Sequence, residues 1–231
     1  MNTRTASAPD NEKKVSSAQF IGAYFRPGVL LLLSMYLAGW LGLQIPASRE
    51  IFLLLVPFNL IVSAVVLFIF HTQWNRPFIV FCVLTFLCGF WVEVAGVHTG
   101  LIFGHYRYGT TLGIQWLGVP WLIGLNWLTL IYCAGVISSR LKSAWWLRAA
   151  LGAVLMVGLD IFIEPIAVEM DFWQWNQDIP LQNYLAWYII SFILLSLFHL
   201  IRFNKENKMA IYLYIAQLLF FAFHNLSSYL I

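Results

Sequence analysis

The chain has 231 residues, 61% of them hydrophobic and only 10% charged, with a mean hydropathy of +0.79. A soluble globular domain carries about 25% charged residues, so this composition excludes that class and points to a chain almost wholly embedded in lipid. The formal net charge of +3 says little by itself, and no nucleic acid is expected among the partners.

The N-terminus, MNTRTASAPDNEKKVSSAQF, is polar and has no apolar core of the kind a secretory signal peptide needs. Residues 1–22 are therefore expected to be a disordered cytosolic tail, followed by one transmembrane domain over 23–231. A spanning helix takes about 20 apolar residues. Runs of that kind fall at 28–45, 50–71, 77–97, 119–137, 145–166, 184–202 and 209–229. The fold class expected is all-α: a polytopic integral membrane protein of about seven transmembrane helices. Cys82, Cys88 and Cys133 lie in apolar runs, in no metal-ligand spacing, and read as small buried hydrophobes.

Orientation follows from the cations. With a cytosolic N-terminus and seven spans, Arg4, Lys13, Lys14, Arg26, Arg76, Arg140, Lys142, Arg148, Arg202, Lys205 and Lys208 lie on the inner side. Only Arg49 and Arg107 lie outside, a strong positive-inside bias. The C-terminus is then non-cytosolic. The same layout puts residues 98–118, HTGLIFGHYRYGTTLGIQWLG, on the outer side between helices three and four. This segment is too apolar for a solvent loop and too rich in glycine for a helix. A partly re-entrant or interfacial segment is expected, its irregular backbone covered by protein or lining a cavity.

Three carboxylates converge on that leaflet. Glu93 falls in the last two turns of helix three; Asp160 and Glu164 are four apart on one face of helix five. Pro165 is expected to end or kink helix five just beyond them. An acid within a membrane is costly unless paired or neutral and marks function by default. The competing structural reading pairs Glu93 or Asp160 with Arg107 or a histidine to hold helices together. His98 and His105 are seven apart across glycines, which is no helical ligand motif, so a hydrogen-bonding role is expected and no metal. His71 and His199 lie near the inner side and His224 near the outer end of helix seven, too few and too scattered for a di-iron oxygenase. In DFWQWNQDIPLQNYLAWY (171–188), Trp173 and Trp175 suit the outer interface and Asn183 a helix cap behind Pro180.

The stretch EVAGVHTGLIFGHYRYGTTLGIQWLGVPWLIGLNW, with Glu93, Gly96, Val97, Thr99, Gly100, Phe103, Gly104, Tyr106, Tyr108, Leu112, Gly113, Val119 and Pro120, resembles the signature of the membrane carotenoid-biosynthesis hydratases, of bisanhydrobacterioruberin hydratase and gamma-carotene 1',2'-hydratase type. Asp160, Glu164, Pro165, Trp173, Trp175, Pro180, Asn183 and Trp187 match the later part of the pattern, so the resemblance covers roughly residues 77–200. It implies addition of water to the terminal C1=C2 double bond of an acyclic carotenoid end group, giving a tertiary alcohol with no cofactor. An acid protonates C2, a tertiary cation forms at C1, and water attacks there as a base takes its proton. Glu93 is expected as the acid, with Asp160 and Glu164 holding the water; the reverse assignment stays open. His98 and Arg107 are expected beside this chemistry. Thr99, Tyr106, Tyr108, Trp173, Trp175, Asn183 and Trp187 are expected around the substrate, with aromatic faces stabilising the cation.

The expected partners are an acyclic or monocyclic carotenoid, membrane lipids and other enzymes of carotenoid biosynthesis, and the expected location is a bacterial inner membrane. Among rivals, a retinal photoreceptor needs a lysine within a helix, and all five lysines fall outside the expected spans. A prenyltransferase needs a second acidic cluster for magnesium. A carotenoid cyclase also begins by protonating a polyene and differs only in what captures the cation. A transporter or carotenoid-binding protein would use the acids as a proton relay, but no internal repeat suggests alternating access.

Overall fold

The computed structural model describes residues 17–230. The tail expected over residues 1–16 lies outside them, while residues 17–22 already belong to the first helix.

Seven helices form the described chain: α1 (Ser17–Gln44), α2 (Pro46–Ile69), α3 (Arg76–Thr99), α4 (Leu122–Ser138), α5 (Trp145–Glu169), α6 (Leu181–Leu200) and α7 (Met209–Leu230). Six are long and apolar enough to cross a membrane. The exception is α4, whose 17 residues span only about 25 Å at the α-helical rise. It sits at the centre of the bundle and touches α2, α3, α5, α6 and α7. A helix that is apolar all round belongs in such a place, and one enclosed by protein need not match the bilayer's thickness. It begins three residues later than expected because the preceding segment folds over its end.

Local signals set the helix ends. Asn75 caps α3 by accepting a hydrogen bond from the Phe78 amide at 3.0 Å, the usual service of an N-cap side chain. Gly100 ends the same helix in the left-handed region, at φ 66°, where glycine carries no steric penalty. Pro165 does not end α5, which runs four residues further to Glu169. One turn earlier the Phe162 carbonyl accepts from the Asn225 side-chain amide at 2.7 Å, which ties α5 to α7 at this level.

The connection from α3 to α4 is neither a helix nor a plain loop. It holds β1 (Tyr106–Tyr108), β2 (Gln115–Trp116) and β3 (Val119–Pro120). The last two pair antiparallel across Leu117 and Gly118, both at positive φ, as a two-residue hairpin turn requires. β1 instead pairs with β4 (Trp173–Trp175), from the connection between α5 and α6. The register sets Tyr106 opposite Trp175, Arg107 opposite Gln174 and Tyr108 opposite Trp173. This small sheet closes the bundle at the end where α3 and α5 terminate.

Candidate functional site

The paired triplets Tyr-Arg-Tyr and Trp-Gln-Trp share one pattern, aromatic–polar–aromatic. Side chains alternate across a strand, so the four aromatic residues face the bundle together, and Arg107 and Gln174 face away. The Tyr106 and Trp175 rings lie 5.1 Å apart, and the Tyr106 and Tyr108 rings 5.6 Å apart. The sheet can close this tightly because position 109 is glycine: a β-carbon there would sit 2.1 Å from the Asp171 carbonyl oxygen.

Under this aromatic face lie the carboxylates. Glu93 is 4% exposed. Its Oε2 accepts from the Tyr106 hydroxyl at 2.5 Å and the Tyr108 hydroxyl at 2.8 Å, and its Oε1 from the Trp127 indole at 2.8 Å. Burial, and then the neighbouring Glu93 charge, push both phenols well above their ordinary value, so they stay protonated. Glu164 is held in a parallel way. Its Oε2 accepts from the indoles of Trp173 (3.0 Å) and Trp175 (2.8 Å), and its Oε1 from the Asn183 amide (2.9 Å). The same Asn183 nitrogen reaches Asp160 Oδ2 at 3.1 Å. Asn183 therefore joins two acids rather than capping α6, a position taken by Pro180. Asp160 is fully buried and lies behind this bridge; its Oδ1 has no hydrogen-bond partner among the described residues.

Glu93 and Glu164 both line a small pocket with Tyr106, Tyr108, Trp173, Trp175, Asn183 and Trp187. Its volume is about 20 Å³; one water molecule needs at least about 10–15 Å³. A second cavity, about 330 Å³ and almost entirely apolar, extends between α1, α2, α4 and α7. Ile123, Asn126 and Trp173 are walls of both. A polar cell large enough for one water thus adjoins a chamber suited to a hydrocarbon. Among the described residues, no three ligating side chains gather in a metal site.

Three sequence expectations are not brought to this pocket. Arg107 is exposed on the outer side of β1 and makes no ion pair among the described residues; strand alternation turned it away from the acids, so it does not pair with a carboxylate. His98 is exposed at the end of α3, its Nδ1 2.8 Å from the Val94 carbonyl oxygen. Thr99 is also exposed, donating to the Ala95 carbonyl at 2.6 Å. Both fall on the face of α3 away from Glu93. Trp127 was not anticipated as a site residue. It stacks on Trp187 at 4.5 Å and fits because Gly89 faces it, where a β-carbon would approach the Trp127 β-carbon to 2.4 Å. The signal available was its indole N–H, a buried donor that demands an acceptor.

Residues 51–230 match the model of a family described as carotenoid biosynthesis protein. The chain belongs to that family. The chain is also similar to bisanhydrobacterioruberin hydratase of Haloarcula japonica, 28% identical over 123 residues. That match spans 48% of this chain and 41% of the relative. No solved structure matches the chain. Membership of a carotenoid-biosynthesis family agrees with a membrane-embedded site that adjoins an apolar chamber.

Proposed function

We propose that the protein is a carotenoid hydratase, adding water to the terminal C1=C2 double bond of an acyclic carotenoid end group. The observation that carries this reading is the one-water cell between Glu93 and Glu164, walled from the apolar chamber by Ile123, Asn126 and Trp173. Hydration needs a held water beside a dry hydrocarbon site, whereas cyclisation needs the water excluded. The likeness to a relative named as a hydratase supports the same reading.

The donor pattern favours the reverse of the assignment expected for the acid. Glu93 stands alone among three donors, two of them phenols, which favour its carboxylate form against the burial that opposes it. Asp160 and Glu164 share one amide and lie together out of water, where two like charges are disfavoured. In this reading the helix-five pair keeps the proton, and Glu164, the member facing the pocket, delivers it. The alkene π pair forms the new C2–H bond, leaving a tertiary cation at C1. The faces of Tyr106, Tyr108, Trp173 and Trp175 stabilise that cation. The water oxygen then bonds to C1, and Glu93 takes the released proton. Return of that proton from Glu93 to the helix-five pair restores the site, so the sum is alkene plus water to tertiary alcohol, with no electron transfer.

Expression in a host that accumulates an acyclic carotenoid tests the reaction. The expected product is heavier than its precursor by one water. A product of unchanged mass and altered absorption would mean cyclisation, and unchanged carotenoid would mean a binding or transport role; either overturns the hydratase reading.

A further inference from the structure

At the opposite end of the bundle, three nitrogen-bearing side chains gather without an acid. Gly152 on α5 is in close contact with Leu195 on α6 and Ser138 on α4: a β-carbon added there would lie 2.9 Å from the Leu195 side chain and 3.2 Å from Ser138 Oγ. Arg148 stands four residues before Gly152 and His199 four after Leu195, so each shares its helix's contact face, one turn nearer the end. His199 is 8% exposed, and its Nε2 lies 3.1 Å from Ser138 Oγ. Its other nitrogen, Nδ1, is buried with no hydrogen-bond partner among the described residues; so is Nε of Arg148. Lys205, in the connection from α6 to α7, completes the group. Its ammonium donates to the Ile201 carbonyl at 2.9 Å and sits 4.8 Å from the centre of the Phe203 ring. Burial, and then Arg148, hold it below its ordinary value. The charges of Arg148 and Lys205 are both felt at His199.

Among the described residues, no carboxylate pairs with any of the three. Gathering cations in a partly desolvated place is costly unless an anion joins them. An arginine fork, an ammonium and a ring N–H converging between helices at a membrane surface are suited to phosphate oxygens.

We propose that Arg148, His199 and Lys205 form a phosphate-binding site between α5, α6 and the α6–α7 connection, filled by the phosphate of an anionic lipid headgroup or by free phosphate. Ser138 Oγ donates to the Gly135 carbonyl at 3.2 Å, so Nε2–H of His199 donates to Ser138 Oγ; with the anion bound the ring takes a second proton on Nδ1, which donates to the anion. Arg148 supplies two parallel bonds and Lys205 a compact charge. The site stands apart from the carboxylate pocket and does not depend on what reaction occurs there.

The test places the whole protein in phosphatidylcholine nanodiscs, alone, with phosphatidylglycerol added, or with inorganic phosphate added, and measures Tm and the lipid retained in native mass spectrometry. The expected result is a rise in Tm that is lost in Arg148→Gln and again in Lys205→Gln, and kept in Arg140→Gln, a cation elsewhere on the same end. Each variant is compared with itself with and without the anion, so a general loss of stability does not mimic the result. A rise with phosphatidylglycerol alone assigns the headgroup, and one with inorganic phosphate alone assigns the free anion. No rise with either, or a rise that survives both substitutions, overturns the site. A rise lost equally in Arg140→Gln overturns it too, since that is diffuse surface attraction.

Discussion

Glu93 and Glu164 each receive three hydrogen bonds, yet only Glu164 has a second acid behind it. That asymmetry gives a test of their roles. In deuterated water, Glu164→Gln is expected to abolish both hydration and deuterium uptake at C2, because no proton reaches the alkene. Glu93→Gln is expected to abolish hydration while recovered substrate still gains deuterium: the cation forms, and on return to alkene the original C2 hydrogen leaves while the deuteron stays. Label in the Glu164→Gln substrate but none in the Glu93→Gln substrate would reverse the assignment. Trp127→Phe leaves Glu93 Oε1 buried without a donor. Such a loss typically costs about 1–3 kcal/mol, so a lower Tm and slower turnover are expected. Arg107→Lys serves as the counterpart. Its side chain is outside the pocket, and product per folded protein should stay near that of the parent; a large loss would show that the outer face of β1 matters to the chemistry.

At the scale of elements, two three-residue strands do most to build the site. β1 and β4 come from two different connections, with Tyr106 opposite Trp175 and Tyr108 opposite Trp173, and together they hand four of the six donors to the two glutamates. Gly109 is the position where this pairing is most exposed to change. Gly109→Ala would drive a β-carbon into the Asp171 backbone, so the strands must part and the tyrosine and tryptophan donors move off their acids. Activity should fall steeply in a protein that still inserts and accumulates, because the spanning helices are untouched. Product assayed against folded yield checks this; unchanged turnover would mean that the strand pairing is not needed. The neighbouring Asp171 side chain holds the same corner, its Oδ2 accepting from the Thr110 amide at 3.1 Å.

For the whole molecule, all the described lysines and arginines except Arg49 and Arg107, namely Arg26, Arg76, Arg140, Lys142, Arg148, Arg202, Lys205 and Lys208, belong to the end opposite the carboxylates. The positive-inside rule then predicts a cytosolic reporter signal from the 203–208 loop and a non-cytosolic one after Ile231. Both on the same side would sink this orientation. Much of the architecture was legible from the chain alone, because hydropathy and length dictate spanning helices wherever lipid cannot satisfy a backbone. The seven helices fall where apolar runs lie, to within a few residues at most ends; α1 departs most, starting at Ser17, well before its apolar run at 28–45. Glu93, Asp160 and Glu164 also stood out, since an acid in an apolar run has no cheap structural explanation. What only the tertiary structure decided was which polar groups meet. Tyr-Arg-Tyr and Trp-Gln-Trp carry no sign of being partners until β1 and β4 pair, and strand alternation then turns Arg107 outward and four aromatic rings inward. Trp127 reads as one more apolar residue of α4 until α3 packs against it through Gly89. Asn183 reads as a helix cap until α5 and α6 meet and its amide lies between two acids. Burial is written in composition, residue by residue, but a hydrogen bond between distant segments depends on where both ends land, and no local pattern holds that information.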